Sequence, residues 1–295
     1  MSLAPLLGFP PEWAALSLLV AACLYWERAG LSGLGAEGCV LSGMVGLILG
    51  YEWTGNYPAA SAIAVGTAAA FAAGCAGGIL WLRAEPAVGA FALSLVPACA
   101  LTLLTRTGPY RLLNEVPAPG LIRGTALDGT LAEDLLLSPW LLAAPVVILL
   151  AALVLRRTPF GLRLRAYGET PALAAREHDR PGGYRIAGAV IGGVCAAAAA
   201  ALQIRTHPDA PPLGLGLVAL GCTIAGRWAF VPGILLAAGP AALRTARPYV
   251  AGVVPAEVAI DAAPFLVVLL YLLLFSRRSL RLSAPPQSRL DPDVL

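Results

Sequence analysis

Long apolar stretches separated by short polar islands set the pattern of this chain. The apolar windows fall at 13–26, 39–50, 58–82, 86–105, 139–155, 184–204, 213–226, 231–243 and 257–275. A helix needs about 20 apolar residues to cross the hydrocarbon core of a bilayer. The windows 58–82, 86–105, 139–155, 184–204 and 257–275 meet or approach that length, whereas 13–26, 39–50, 213–226 and 231–243 fall short. Short, glycine-interrupted segments in both halves of a chain point to broken or re-entrant helices along a substrate path. The other reading is that these helices extend a few residues into their flanks. The pattern predicts an all-α, polytopic transmembrane helix bundle of about eight or nine membrane segments. One membrane domain spans residues 1–282, and the proline-rich polar tail 283–295, SAPPQSRLDPDVL, is expected to be disordered.

Composition narrows the class further. Hydrophobic residues make up 58% of the chain, charged residues 13%, and the mean hydropathy is +0.77. Soluble domains carry about a quarter charged residues, so the surplus of Ala, Leu, Val and Gly must face lipid or other spanning helices. The N-terminus has no basic stretch ahead of its apolar run, and no cleaved leader is expected. The net charge of +3 comes from arginine, because the chain contains no lysine. A phosphate-binding GxxxxGK[ST] loop needs its lysine, so this chain is expected to bind no cofactor and any ATP to be held by a partner. No nucleic-acid partner is expected. The six cysteines (23, 39, 75, 99, 195, 222) lie singly in apolar stretches, without CxxC or cysteine–histidine pairing at metal-ligand spacing. They read as small apolar helix residues, and no metal site is expected.

The most polar island is also the most informative. Seven arginines (156, 157, 163, 165, 176, 180, 185) fall within thirty residues, from the end of the apolar run 139–155 to the start of the run 184–204. An arginine at the bilayer centre costs about 2.5–3.5 kcal/mol even on a lenient scale, so this segment lies outside lipid. Loop arginines mark the cytoplasmic side. Alternating nine segments from that anchor puts fourteen arginines inside and six outside (106, 111, 123, 205, 244, 247). The expected topology has an external N-terminus, a cytoplasmic C-terminus and an external loop at 106–138.

Three local patterns carry candidate chemistry. In Glu27–Gly38, ERAGLSGLGAEG, four glycines and two glutamates interrupt two short apolar windows. Gly33 and Gly35 allow close backbone approach, and Glu37 is costly at membrane depth unless it is paired or faces a cavity. The alternative is a tight connection with solvated acids. Gly214–Arg227, GLGLVALGCTIAGR, carries Gly214 and Gly216, which suit either close helix packing or a pore lining. Glu257 and Asp261 stand one turn apart where the last helix begins. They are candidates for solute binding, although first-turn acids also complement a helix dipole. The pattern yields no catalytic set.

Together these islands resemble the nucleoside and simple-sugar branch of the ABC importer permeases, within the larger group that also holds branched-chain amino-acid permeases. Glu27-Arg28-Ala29-Gly30 through Gly35-Ala36-Glu37-Gly38 is similar to that family's ERxGxxNxGxEG signature. Thr158-Pro159-Phe160-Gly161-Leu162-Arg163 with Gly168-Glu169-Thr170-Pro171 resembles its TxFGxxLRAxGENP cytoplasmic coupling loop, and Gly214–Arg227 its GxGFxAxAxxxxGR segment. The chain departs from the pattern at Gly33 and Thr170, where the family has asparagine, and at His178-Asp179, where it has glycine-isoleucine.

The resemblance implies a permease subunit with a solute path between two permease halves, identical or homologous, driven by separate cytoplasmic ATP-binding subunits and fed by an extracytoplasmic solute-binding protein. It places ATPase coupling in the loop 158–183, at Gly161, Arg163, Arg165, Gly168, Glu169, Pro171, Ala172 and Ala175. Residues 170–178 are expected to form a short helix whose Ala172, Leu173 and Ala175 dock in a groove of the ATPase, with Arg163 and Arg165 at the rim. The substrate path is expected at Gly33, Gly35, Glu37, Gly214, Gly216, Glu257 and Asp261. A stand-alone secondary transporter would also show broken helices but needs no docking helix, and an intramembrane enzyme would need ionisable groups converging at one depth.

Overall fold

A computed structural model describes residues 4–107, 139–169, 181–206, 213–246 and 254–279. The described residues form helices and turns: α1 (Ala4–Arg28), α2 (Gly35–Thr54), α3 (Tyr57–Leu82), α4 (Pro86–Thr107), α5 (Pro139–Arg157), α6 (Pro159–Glu169), α7 (Pro181–Thr206), α8 (Leu215–Ala225), α9 (Phe230–Leu236), α10 (Ala238–Ala246) and α11 (Val254–Ser279). Segment 108–138, residues 170–180 with Thr170, Pro171, Ala172, Ala175, His178 and Asp179, and the tail 283–295 lie outside the described residues.

Five helices among the described residues are long and apolar enough to cross a membrane. Two of them, α1 and α7, are the centre, with 72% of the apolar window buried in each, against 22% for α4 and 17% for α5. Helix α1 touches α2, α5, α6, α7, α8, α9 and α10, and its residues from Ala15 to Trp26 are almost wholly enclosed. The outward faces of α4, α5 and α11 expose Phe91, Leu95 and Val96, then Leu149, Leu150 and Leu153, then Leu266, Leu269, Leu270 and Leu273. An apolar surface this extensive belongs against lipid tails, and the bundle is a multi-pass membrane protein.

Small residues bring the central helices together, because lipid supplies no hydrophobic drive to do so. A β-carbon on Gly46 would lie 3.0 Å from the Ala64 backbone, and one on Gly43 would lie 3.2 Å from that of Ala197. The α2–α3 seam is also stitched by Ser42 and Thr67, each hydroxyl donating to the other residue's carbonyl at 3.2 Å. Tyr25 of α1 donates to the Ala151 carbonyl of α5 at 2.7 Å.

The four short windows divide. Helix α1 runs 25 residues through Pro10 and Pro11, and α2 runs 20 residues, Gly35–Thr54, taking in Glu37 and Glu52. They are unbroken helices, so of the two readings of these windows it is the extension into the flanks that holds: prolines and flanking acids hid the helix ends. The other two windows are short elements, with α8 at 11 residues, α9 at 7 and α10 at 9. Between α8 and α9 the chain turns at Arg227 and Trp228, both left-handed at φ of 55° and 57°. For residues other than glycine that conformation costs roughly 1–2 kcal/mol each.

Candidate functional site: the junction of the α1–α2 and α8 turns

Helix α1 ends where Gly30 adopts φ +69°. The Gly30 N–H donates to the Glu27 carbonyl at 3.0 Å and the Leu31 N–H reaches back to the Trp26 carbonyl at 3.0 Å. This is the paired bonding of a Schellman stop, with glycine in the left-handed position. The chain then climbs back along α1. The buried Glu27 carboxylate accepts from the Gly33 N–H at 2.8 Å, and α2 starts at Gly35 against the ring of Trp26.

Glu37, in the first turn of α2, reaches across to the other half of the chain. Its carboxylate accepts from the Gly214 N–H at 2.7 Å and from the Gly216 N–H. These are the unsatisfied donors at the start of α8, where the positive end of the helix dipole favours an anion. Gly214 is left-handed at φ +84°, and a β-carbon on Gly216 would sit 2.7 Å from the Glu37 backbone. The Cys23 thiol completes the junction, 3.6 Å from the Gly33 carbonyl and 3.8 Å from that of Gly216. Two turns with the same Gly-Leu-Gly wording, 33–35 and 214–216, thus meet around two glutamates. Cys23 lies seven residues past the midpoint of α1, about 10 Å at 1.5 Å per residue. The junction therefore sits toward the Arg28 end of α1, not at mid-helix.

The arginine-rich segment packs at this same end. Thr158 caps α6, its hydroxyl accepting from the Gly161 N–H at 3.2 Å while donating to the Val154 carbonyl of α5 at 2.6 Å. Pro159 follows at the first helical position, where its missing N–H costs nothing. A side chain on Gly161 would overlap the carbonyls of Val154 and Leu155, so the α5–α6 corner requires glycine. Phe160 and Tyr167 of α6 pack on Tyr184 of α7, with ring centroids 5.8 and 5.4 Å apart. Arg163 donates to the Tyr184 hydroxyl at 2.6 Å and lies over its ring; Arg165 donates to the Gly161 carbonyl at 3.4 Å. Gly168 presses its backbone on the end of α1, where a side chain would overlap the Arg28 carbonyl.

A family model described as the branched-chain amino acid transport system permease component matches residues 13–275. The chain belongs to that family. It is an ABC-type permease subunit. No match was found among curated proteins or among solved structures.

In this permease the sequence candidates fall into three groups. Gly33, Gly35, Glu37, Gly214 and Gly216 come together at the junction, where their nearest neighbours are protein: Leu220 and Glu27 at Gly33, Trp26 at Gly35, Phe265 at Gly214. Gly161, Arg163, Arg165 and Gly168 lie on α6, one layer from the junction. Glu169 closes α6, and Glu257 and Asp261 lie in α11. The side chains of these three residues lie outside the described residues.

Reading the sequence missed two features. Arg185, counted only as loop charge, is half-buried and donates to the carbonyls of Ala29 and Gly30. Glu12, buried at the far end of α1, pairs with Arg244 of α10 at 3.3 Å and accepts from Gln203 of α7 at 2.9 Å. The one available signal was the polar side chains at the edges of apolar windows.

Proposed function

We propose that this permease carries nucleosides or simple sugars into the cell, with ATP bound and hydrolysed by separate cytoplasmic subunits docked on the loop 158–183. A second permease subunit, identical or homologous, supplies the other wall of the path, and a solute-binding protein delivers from outside. The N-terminus is external and the C-terminus cytoplasmic, because the arginines concentrate at the α6 end. The observation that carries this reading is the Glu37 carboxylate bonded to the start of α8, a residue 177 positions away. A part-buried contact between two turns from opposite halves, made of a few hydrogen bonds, can part and re-form as a path opens and closes. The glycines keep the two backbones close enough to do so. The Glu27 and Glu37 carboxylates offer acceptors that suit hydroxylated solutes once the contact parts.

The choice of nucleosides or sugars rests on the wording ERAG…GLGAEG. Branched-chain amino acids are the second reading, favoured by the description of the matching family. Proteoliposomes holding the permease with its ATPase are to be offered labelled uridine, ribose and leucine. ATP-dependent accumulation of uridine or ribose is expected. Accumulation of leucine alone supports the second reading, and accumulation on an ion gradient without any ATPase defeats both.

A further inference from the structure

The α1–α2 turn, residues 29–34, is held from outside by groups that the path does not use. Arg185, four residues into α7, donates from Nε to the Ala29 carbonyl at 2.7 Å and from Nη2 to the Gly30 carbonyl at 2.6 Å. These carbonyls lie just past α1, where the dipole places partial negative charge. A guanidinium fork can hold two carbonyls at once in fixed geometry, and a lysine ammonium cannot. On the same turn, a β-carbon at Gly30 would stand 3.2 Å from Cα of Gly168 and 3.1 Å from Nη2 of Arg185. Helix α6 therefore meets the α1–α2 turn backbone to backbone, at Gly168 and Gly30, and the head of α7 reaches the same turn through the Arg185 side chain. The far end of that turn carries Gly33, bonded to Glu27, and leads into Glu37 and its grip on α8.

We propose that Arg185 is a positioning residue for energy coupling: it fastens the α1–α2 turn to α7, beside the Gly168 contact with α6, so that a displacement of the loop by the ATPase reaches the Glu37–Gly214 contact. This rests on the permease reading above. Backbones packed this closely move together, because dense interiors transmit strain and do not absorb it. The links of α6 to α5 at Thr158 and to α7 at Tyr184 hold the loop in place, but neither touches the junction. The turn that Arg185 clamps does.

Cys23 reports on the junction whatever the solute. In a permease keeping Cys23 as its only thiol, assembled with its ATPase, N-ethylmaleimide labelling is to be compared without nucleotide and with ATP and vanadate. The wild-type arginine should give a nucleotide-dependent change of about five-fold or more, the lower range of measured couplings. Arg185→Gln and Arg185→Lys should erase that change while the complex still assembles, melts normally and hydrolyses ATP. Persistence of the change in both variants overturns the proposal. So does its loss together with assembly or thermal stability, which would make Arg185 merely structural. A wild-type complex that hydrolyses ATP with no response at Cys23 also overturns it, leaving the permease reading intact. Failure of the wild type to bind any ATPase removes that reading and this proposal with it.

Discussion

A β-carbon at Gly35 would overlap the ring of Trp26, which is fully buried and also packed close to Gly192. Overpacking of this kind costs about 1–3 kcal/mol, more than the roughly 0.5–1 kcal/mol that alanine gains over glycine in a helix. Gly35→Ala should therefore lower the melting temperature of the purified permease. Gly74→Ala, where a β-carbon meets nothing within 4 Å, should leave it unchanged or higher. Equal effects at the two positions would remove the packing argument. The buried Glu12 gives a second expectation. Removing one partner of a buried pair costs about 3–5 kcal/mol, largely from the charge left behind. Arg244→Ala should destabilise the protein markedly, and adding Glu12→Gln should recover much of the loss, read by thermal unfolding in detergent. A double variant no more stable than the single would mean that Glu12 is satisfied without Arg244.

The elements were legible where length alone decides. Windows of about 20 apolar residues have no stable alternative to a helix in lipid, and α3, α4, α5 and α7 follow their windows closely. Where polar or proline residues flank a window, as at Pro10, Pro11 and Glu27, hydropathy ended too early and α1 ran on. Helix α6 was hidden for a different reason. Its sequence PFGLRLRAYGE is polar overall, yet Phe160, Leu164 and Tyr167 recur at helical spacing, and Leu164 and Tyr167 are buried against the bundle. That stripe is the signal in the sequence; residues 170–178, next along the chain, are the segment that the resemblance assigns to docking. If those residues dock in a groove of the ATPase through Ala172 and Ala175, aspartate at both positions buries two charges in an apolar contact, a cost of several kcal/mol. Co-purification of the ATPase with Ala172→Asp/Ala175→Asp should fall to background while the variant permease keeps its melting temperature. Undiminished co-purification would move the docking surface elsewhere.

Among the described residues, the contacts of charged side chains around α1 collect at its two ends. Glu12, Gln203 and Arg244 meet near its start. Near its finish Arg28 donates to the Trp228 carbonyl at 3.3 Å and Arg185 to Ala29 and Gly30. Counting arginines along the sequence makes the same division, with 28, 185 and 227 on one side and 244 on the other, because chain alternation alone fixes which loops share a face. The clasp between Arg185 and the α1–α2 turn had no such signal: its acceptors are backbone carbonyls of a segment 155 residues away, and no spacing in the sequence records them. The proposed orientation rests on charge, with the arginine excess on the cytoplasmic side, and it puts residues 106–138 outside. With all six native cysteines replaced by alanine and Thr125→Cys introduced, a membrane-impermeant maleimide should label intact cells. Labelling only after permeabilisation would invert the topology and place the arginine-rich loop, with its ATPase contact, on a side where there is no ATP to drive it.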